Sequence, residues 1–172
     1  MAPHEADAAS VAATFEVLVR PWVDEMYRAA AAIVGEADAR DVTQEALLDA
    51  WRGFNQFRDP ERVRAWLHAI VANRSRKHLR ARRSRPRIVP IVSWPEGAVE
   101  DGATVLAERD RRDRAFDGLP ADQRITLALH YALDLSVPQV AATLSVPEGT
   151  VKSRIHAGVE RLREVLAAED TQ

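Results

Sequence analysis

The sequence predicts an all-α protein, built as two small helical domains joined by a flexible linker, with a helix-turn-helix in the second. Two observations point there. Apolar residues recur at helical spacing on both sides of residues 84–104. That span is itself punctuated by Pro86, Pro90, Pro95, Gly97 and Gly102, and its short apolar run, Ile88 to Val92, has no second strand to pair with anywhere in the chain. The expected boundaries are therefore a disordered tail over 1–12, a first domain over 13–83, a linker over 84–104 and a second domain over 105–170. A length of 172 residues, 47% apolar and 29% charged, suits one domain or two modest ones, each with a limited core.

The absence of cysteine excludes disulfides, zinc-thiolate clusters and thiol catalysis, and fits a reducing cytoplasm. No apolar run is long enough to span a bilayer, and MAPHEADAASVAA lacks a basic lead and an apolar segment, so the expectation is a soluble, cytoplasmic chain without an export signal.

In the first domain, Phe15, Leu18, Val19, Trp22 and Met26 form a buried helical stripe, which Pro21 must kink or restart because proline removes a donor and clashes with the preceding turn. The second piece should run to Val34 and stop at Gly35. A helix from Asp38 to about Phe54 follows, with Val42, Ala46, Leu47, Trp51 and Phe54 read as inward. Asp38, Asp41 and Glu45 then share a side, with Gln44 beside them, and suit a docking face for a basic protein surface better than a metal site, because no histidine lies nearby. FNQFRDPER is a loop broken by Asp59 and Pro60.

The next stretch, Arg62 to Arg87, holds ten basic residues and no acidic one, whereas residues 1–61 hold five basic against twelve acidic and 88–172 nine against fourteen. A net charge of -2 thus conceals a local cationic rod. Val63, Trp66, Leu67, Ile70 and Val71 should pin one face of it to a core and leave the basic face for a polyanion. Trp51, Phe54, Phe57 and Trp66 bracket the adjoining loop, and aromatic faces beside Arg and Lys are what single-stranded bases stack upon.

The second domain opens with a charged helix around Leu106 to Phe116, then a helix through Ile125, Ala128, Leu129 and Leu133. Ser136 and Gln139 make a capping box for a short helix carrying Val140, Ala141 and Leu144. After the turn at Ser145-Val146, Pro147 starts a longer helix with Val151, Ile155, Val159, Leu162 and Val165 or Leu166 facing in. This is a helix-turn-helix, and Thr150, Lys152, Ser153, Arg154 and His156 on the first turns of its last helix can reach phosphates or base edges.

These features in this order resemble the extracytoplasmic-function sigma factors, the small two-domain members of the bacterial RNA polymerase sigma family. The likeness rests on DARDVTQEALLDAWRGFNQF, RAWLHAIVANRSRKHLRARR and LPADQRITLALHYALDLSVPQVAATLSVPEGTVKSRIHAGVERLRE, and covers nearly the whole chain. It implies that the first domain docks on the clamp helices of the largest polymerase subunit through Asp41, Gln44 and Glu45 and reads the minus-ten element. Phe57 and Asn73 would help hold a flipped base, with Arg74, Lys77, Arg80, Arg82 and Arg83 on phosphates. The second domain would contact the flap and read the minus-thirty-five duplex, with Lys152 and His156 the candidates for sequence readout. An anti-sigma factor is the implied inhibitory partner, and no cofactor or reaction is implied.

Three positions depart from the family pattern. RDPERVRAWL replaces a Ser- and Phe-containing segment, Ala157 stands where a second long basic residue is common, and Ser145 replaces the usual turn glycine. Ser145 must then avoid positive φ or accept strain. Two other readings are a regulator that binds duplex DNA without polymerase, which leaves Gln44-Glu45 and the aromatic loop without a role, and a helical enzyme using His68 or His78, which the absence of any relay or HExxH spacing disfavours.

Overall fold

The computed structural model describes residues 3–84 and 114–169. The linker expected at 84–104 and most of the Leu106–Phe116 helix lie outside the described residues, as does the side chain of Arg83. The first domain comprises α1 (Pro3–Val19), a 3-10 turn (Arg20–Trp22), α2 (Val23–Val34), α3 (Glu36–Gly53) and α4 (Val63–Ser84). The second has a helical turn over 114–117, α5 (Ala121–Leu127) continuing as a π-helical segment (Ala128–Ala132), α6 (Val137–Leu144) and α7 (Glu148–Glu169).

Pro21 does interrupt the first stripe, in the 3-10 turn, and α2 ends at Gly35, whose φ of 88° is one only glycine adopts cheaply. The tail expectation needs correcting, because α1 is already helical from Pro3. Proline is tolerated at a first helical position and alanine is the best helix former, so the missing apolar period did not mean a missing helix.

Met26 and Ile33 of α2, Val42 of α3 and Leu67 and Val71 of α4 are wholly buried and fix the three helices against one another, at about 1.5–3 kcal/mol for each large side chain. Glu25 ties α2 to α4 by accepting from Arg64 at 2.7 Å and from buried His68 Nε2 at 3.1 Å. In the second domain Ile125, Leu129, Val140 and Val151 form the equivalent core. There α7 crosses α5 so closely that a Cβ at Gly158 would meet Leu127 Cδ1 at 2.8 Å.

The capping box forms as read, with Ser136 N donating to Gln139 Oε1 at 2.8 Å. Ser145 takes the strained option, φ 54° and ψ 46°, and closes α6 with Ser145 N–H on Ala142 O at 3.3 Å and Val146 N–H on Ala141 O at 3.0 Å.

The two domains pack together. α4 lies against α5 and α6, α2 lies against the π-helical segment, and one continuous buried cluster runs from Val19 to Val151. Helical periodicity carries no information about such docking, which depends on pairs far apart in the chain.

Candidate polymerase and promoter interfaces

The outer face of α3 brings together Asp41, Gln44 and Glu45, all exposed, around Leu48, whose side chain is 53% exposed. Leu48 was not singled out from the sequence, although its i+3, i+4 and i+7 spacing from Glu45, Gln44 and Asp41 places it on their face. Trp51, read as inward, is 42% exposed and borders the same face. Nine residues separate it from Val42, about two and a half turns, so it must point away from the buried side. It meets Phe15 edge-on at 5.1 Å, and Phe15 meets Phe54 likewise at 5.2 Å.

At the head of α4, Phe57 stacks on Trp66 with centroids 4.4 Å apart and planes at 19°, half-buried beside the loop. Asn73 lies about two turns further along the face of Trp66, and Lys77 and Arg80 continue that stripe; all three are exposed. The stripe is the exposed side of the rod.

The flanks of the rod are matched by the protein's own acids. Arg74, expected on phosphates, is gripped by Asp49, with its Nε at 2.9 Å, and reaches Glu45 at 3.3 Å, so it braces α4 to α3. That grip holds the Asp49 carboxyl below its usual range and raises the Arg74 guanidinium, the mutual hydrogen bond being the largest cause in each. Arg82 donates to Asp38 at 2.9 Å, with His78 Nε2 3.1 Å from the same oxygen. His68, a candidate base in the enzyme reading, is 2% exposed, and desolvation by burial lowers its pKa despite the neighbouring Glu25.

On α7, Lys152 and His156 are exposed, and no side-chain partner of either is found among the described residues. Thr150 is half-buried and its carbonyl accepts from Ser153 Oγ at 2.9 Å. Arg154 turns inward instead, with Nη2 at 3.4 Å from Asp122 on α5. The other oxygen of Asp122 accepts from Arg76 Nε of α4 at 2.8 Å, and Arg76 Nη1 donates to Asn73 Oδ1 at 2.7 Å. Desolvation pushes the Asp122 carboxyl up, but the Arg76 hydrogen bond and the charges of Arg76, Arg154 and Arg80 outweigh it, and the net displacement is downward.

Comparison with known proteins agrees with both halves. Residues 18–85 match the family model for sigma-70 region 2, and residues 109–162 that for sigma-70, region 4. The chain is 32% identical to the ECF RNA polymerase sigma factor SigL of Mycobacterium tuberculosis, with 96% of each chain covered. It is also 32% identical to the ECF RNA polymerase sigma factor SigE of Mycolicibacterium smegmatis over 92% of this chain, and there it spans only 64% of the relative's length. The sigma factor RpoE of Bartonella quintana, solved in complex with the anti-sigma factor NepR, shares the fold with a TM-score of 0.65, at 24% identity and with 90% and 97% of the two chains covered. The chain belongs to the extracytoplasmic-function sigma factors of RNA polymerase, a family of non-enzymatic, promoter-specific transcription initiation factors.

Proposed function

We propose that this chain docks on the clamp helices of core RNA polymerase through the outer face of α3, captures the melted minus-ten strand along α4, and reads the minus-thirty-five duplex with the first turns of α7. The observation that carries this reading is the pairing of two open faces on neighbouring helices: the acidic α3 face centred on Leu48, and the α4 stripe of Asn73, Lys77 and Arg80 leading from the Phe57–Trp66 stack. A duplex-only regulator has no use for the first face.

Capture of an unstacked base offsets the few kcal/mol that unpairing costs, through stacking at Phe57 and a hydrogen bond from Asn73. Lys77 and Arg80 serve the phosphates. Arg74 and Arg82 steady the helix, and reach DNA only by exchanging their carboxylate partners. Lys152 and His156 read base edges, and mounting both contacts on one enzyme makes the second intramolecular. The site of action is the cytoplasm, and an anti-sigma factor that holds the two domains would silence them.

Reconstituted transcription with core polymerase and a promoter library tests this. Gln44→Ala combined with Leu48→Asp should abolish binding to core while leaving the fold intact, and Lys152→Ala should alter which upstream elements are selected. Tight operator binding by the isolated chain, with transcription indifferent to the α3 variant, would overturn the proposal.

A further inference from the structure

The carboxylate of Asp122 stands between the two DNA-reading helices. It accepts from Arg76 of α4 at 2.8 Å and lies 3.4 Å from Arg154 of α7, while Arg76 also holds Asn73 at 2.7 Å. A single acid therefore engages the base-capturing residue at one remove and the recognition helix directly. The arginine side chains are only 20% and 23% exposed, and Arg80 adds to the positive field around the same carboxylate. Arg154 Nη1 is buried without an acceptor among the described residues, so Asp122 leaves one of its donors unsatisfied.

Two guanidiniums converging on one anion is also how arginines hold a DNA phosphate. We propose that Asp122, already held by Arg154 in its own domain, is an internal stand-in for a DNA phosphate, which occupies Arg76 of the first domain while the domains are packed together and leaves it to the promoter backbone when they separate. Resting on the promoter-reading assignment above, it adds a positioning residue that reads no DNA itself. The closed arrangement needs no second chain, since all its partners lie within this one. Binding to DNA then works against the domain contact, and whatever parts the domains frees Arg76 from Asp122, which keeps Arg154 within the second domain.

The test uses the full chain and a fluorescent duplex of arbitrary sequence, because phosphate contacts are indifferent to sequence. Asp122→Asn keeps the shape and removes the charge. It should tighten duplex binding by the free protein about two- to fivefold, the range for one partly exposed ion pair, and should lengthen the distance between fluorophores placed on α3 and α7. The exchanged pair Arg76→Asp with Asp122→Arg should shorten that distance again, which a merely structural role for either residue does not predict. If Asp122→Asn unfolds, Arg76→Gln replaces it, with the same distance expected to lengthen. Unchanged distance and unchanged duplex affinity in a folded variant overturn the inference. Failure of the wild-type chain to stimulate core polymerase at any promoter would instead overturn the promoter-reading assignment, so the two failures are distinguishable.

Discussion

α4 and α7 are each 22 residues long and each carries the DNA contacts proposed for its domain, yet their surroundings differ. α4 is wedged: Leu67, Val71 and Ala72 are wholly buried, and Arg64, Arg74, Arg76 and Arg82 each pair with an acid on another helix. α7 is held at its start by buried Val151 and at Gly158, whereas Ile155, Val159 and Leu162 remain half-buried and Lys152 and His156 project freely. The difference suits the tasks proposed for the two helices. Holding a flipped base requires atoms fixed to a fraction of an ångström, which a wedged helix provides. Reading a duplex that polymerase positions tolerates a shallowly seated helix, provided its first turn is exposed.

The largest expected effect tests that wedge. Leu67→Ala should cost about 2–5 kcal/mol, because a buried leucine leaves both lost transfer energy and a cavity in a region with no slack. Ile155→Ala should cost about 1–2 kcal/mol, since part of that side chain already meets solvent. Urea unfolding with an unchanged slope measures both, and equal losses would erase the contrast between the helices. Next in size is Lys152→Ala in the assembled polymerase complex, which should weaken promoter binding by about 1–3 kcal/mol if the ammonium reads a base, with the loss confined to some upstream sequences. Lys77→Ala should instead weaken all promoters alike and reduce the salt slope by about one. The reverse pattern would exchange the roles assigned to the two helices.

What the sequence disclosed and what it concealed follow the same divide between local and distant causes. Pro21, Gly35, the Ser136–Gln139 box and the Val63–Leu67–Val71 stripe act within a few residues of themselves, and each appears where the spacing put it. The expected orientation of Trp51 fails a count of turns from Val42, and exposed Leu48 was not singled out although its spacing places it beside Gln44 and Glu45. Nothing in the spacing links Arg74 to Asp49, 25 residues away, or Arg76 to Asp122, 46 residues away. Those pairs decide which cations of the rod are tied to distant acids, so the rod was legible and its buttressed side was not. The π-helical segment at Ala128–Ala132, against which α2 packs, was likewise not signalled by the spacing.

A smaller effect concerns the turn that aims α7. Ser145 sits at φ 54° and carries a Cβ in a conformation that suits glycine. Ser145→Gly removes that strain and gives back part of the gain as unfolded-chain entropy, so a net stabilisation of roughly 0.5–1 kcal/mol is expected in thermal unfolding. DNA binding by α7 should be unchanged, because the turn keeps its two backbone bonds. A destabilised variant would mean that the Ser145 side chain contributes more than its backbone costs.

The smallest effect belongs to α4 alone, because α7 buries no histidine. His68 is wedged between α2 and α4, where burial lowers its pKa below the ordinary 6.5 while Glu25 pulls in the opposite direction. Its neutral ring donates Nε2–H to Glu25 in the fold, whereas the unfolded chain takes up a proton near the ordinary value. The unfolded state therefore binds more protons through this window, and stability rises with pH there. The contribution is complete above about 6.5 and is lost as pH falls through the lower folded value. His68→Gln keeps a donor for Glu25 without a titrating group, so its unfolding free energy should follow a flatter line between neutral and mildly acid pH than the parent's. If the two profiles run parallel, His68 is not the group that makes the α2–α4 wedge sensitive to acid, and protonation must act elsewhere in the first domain.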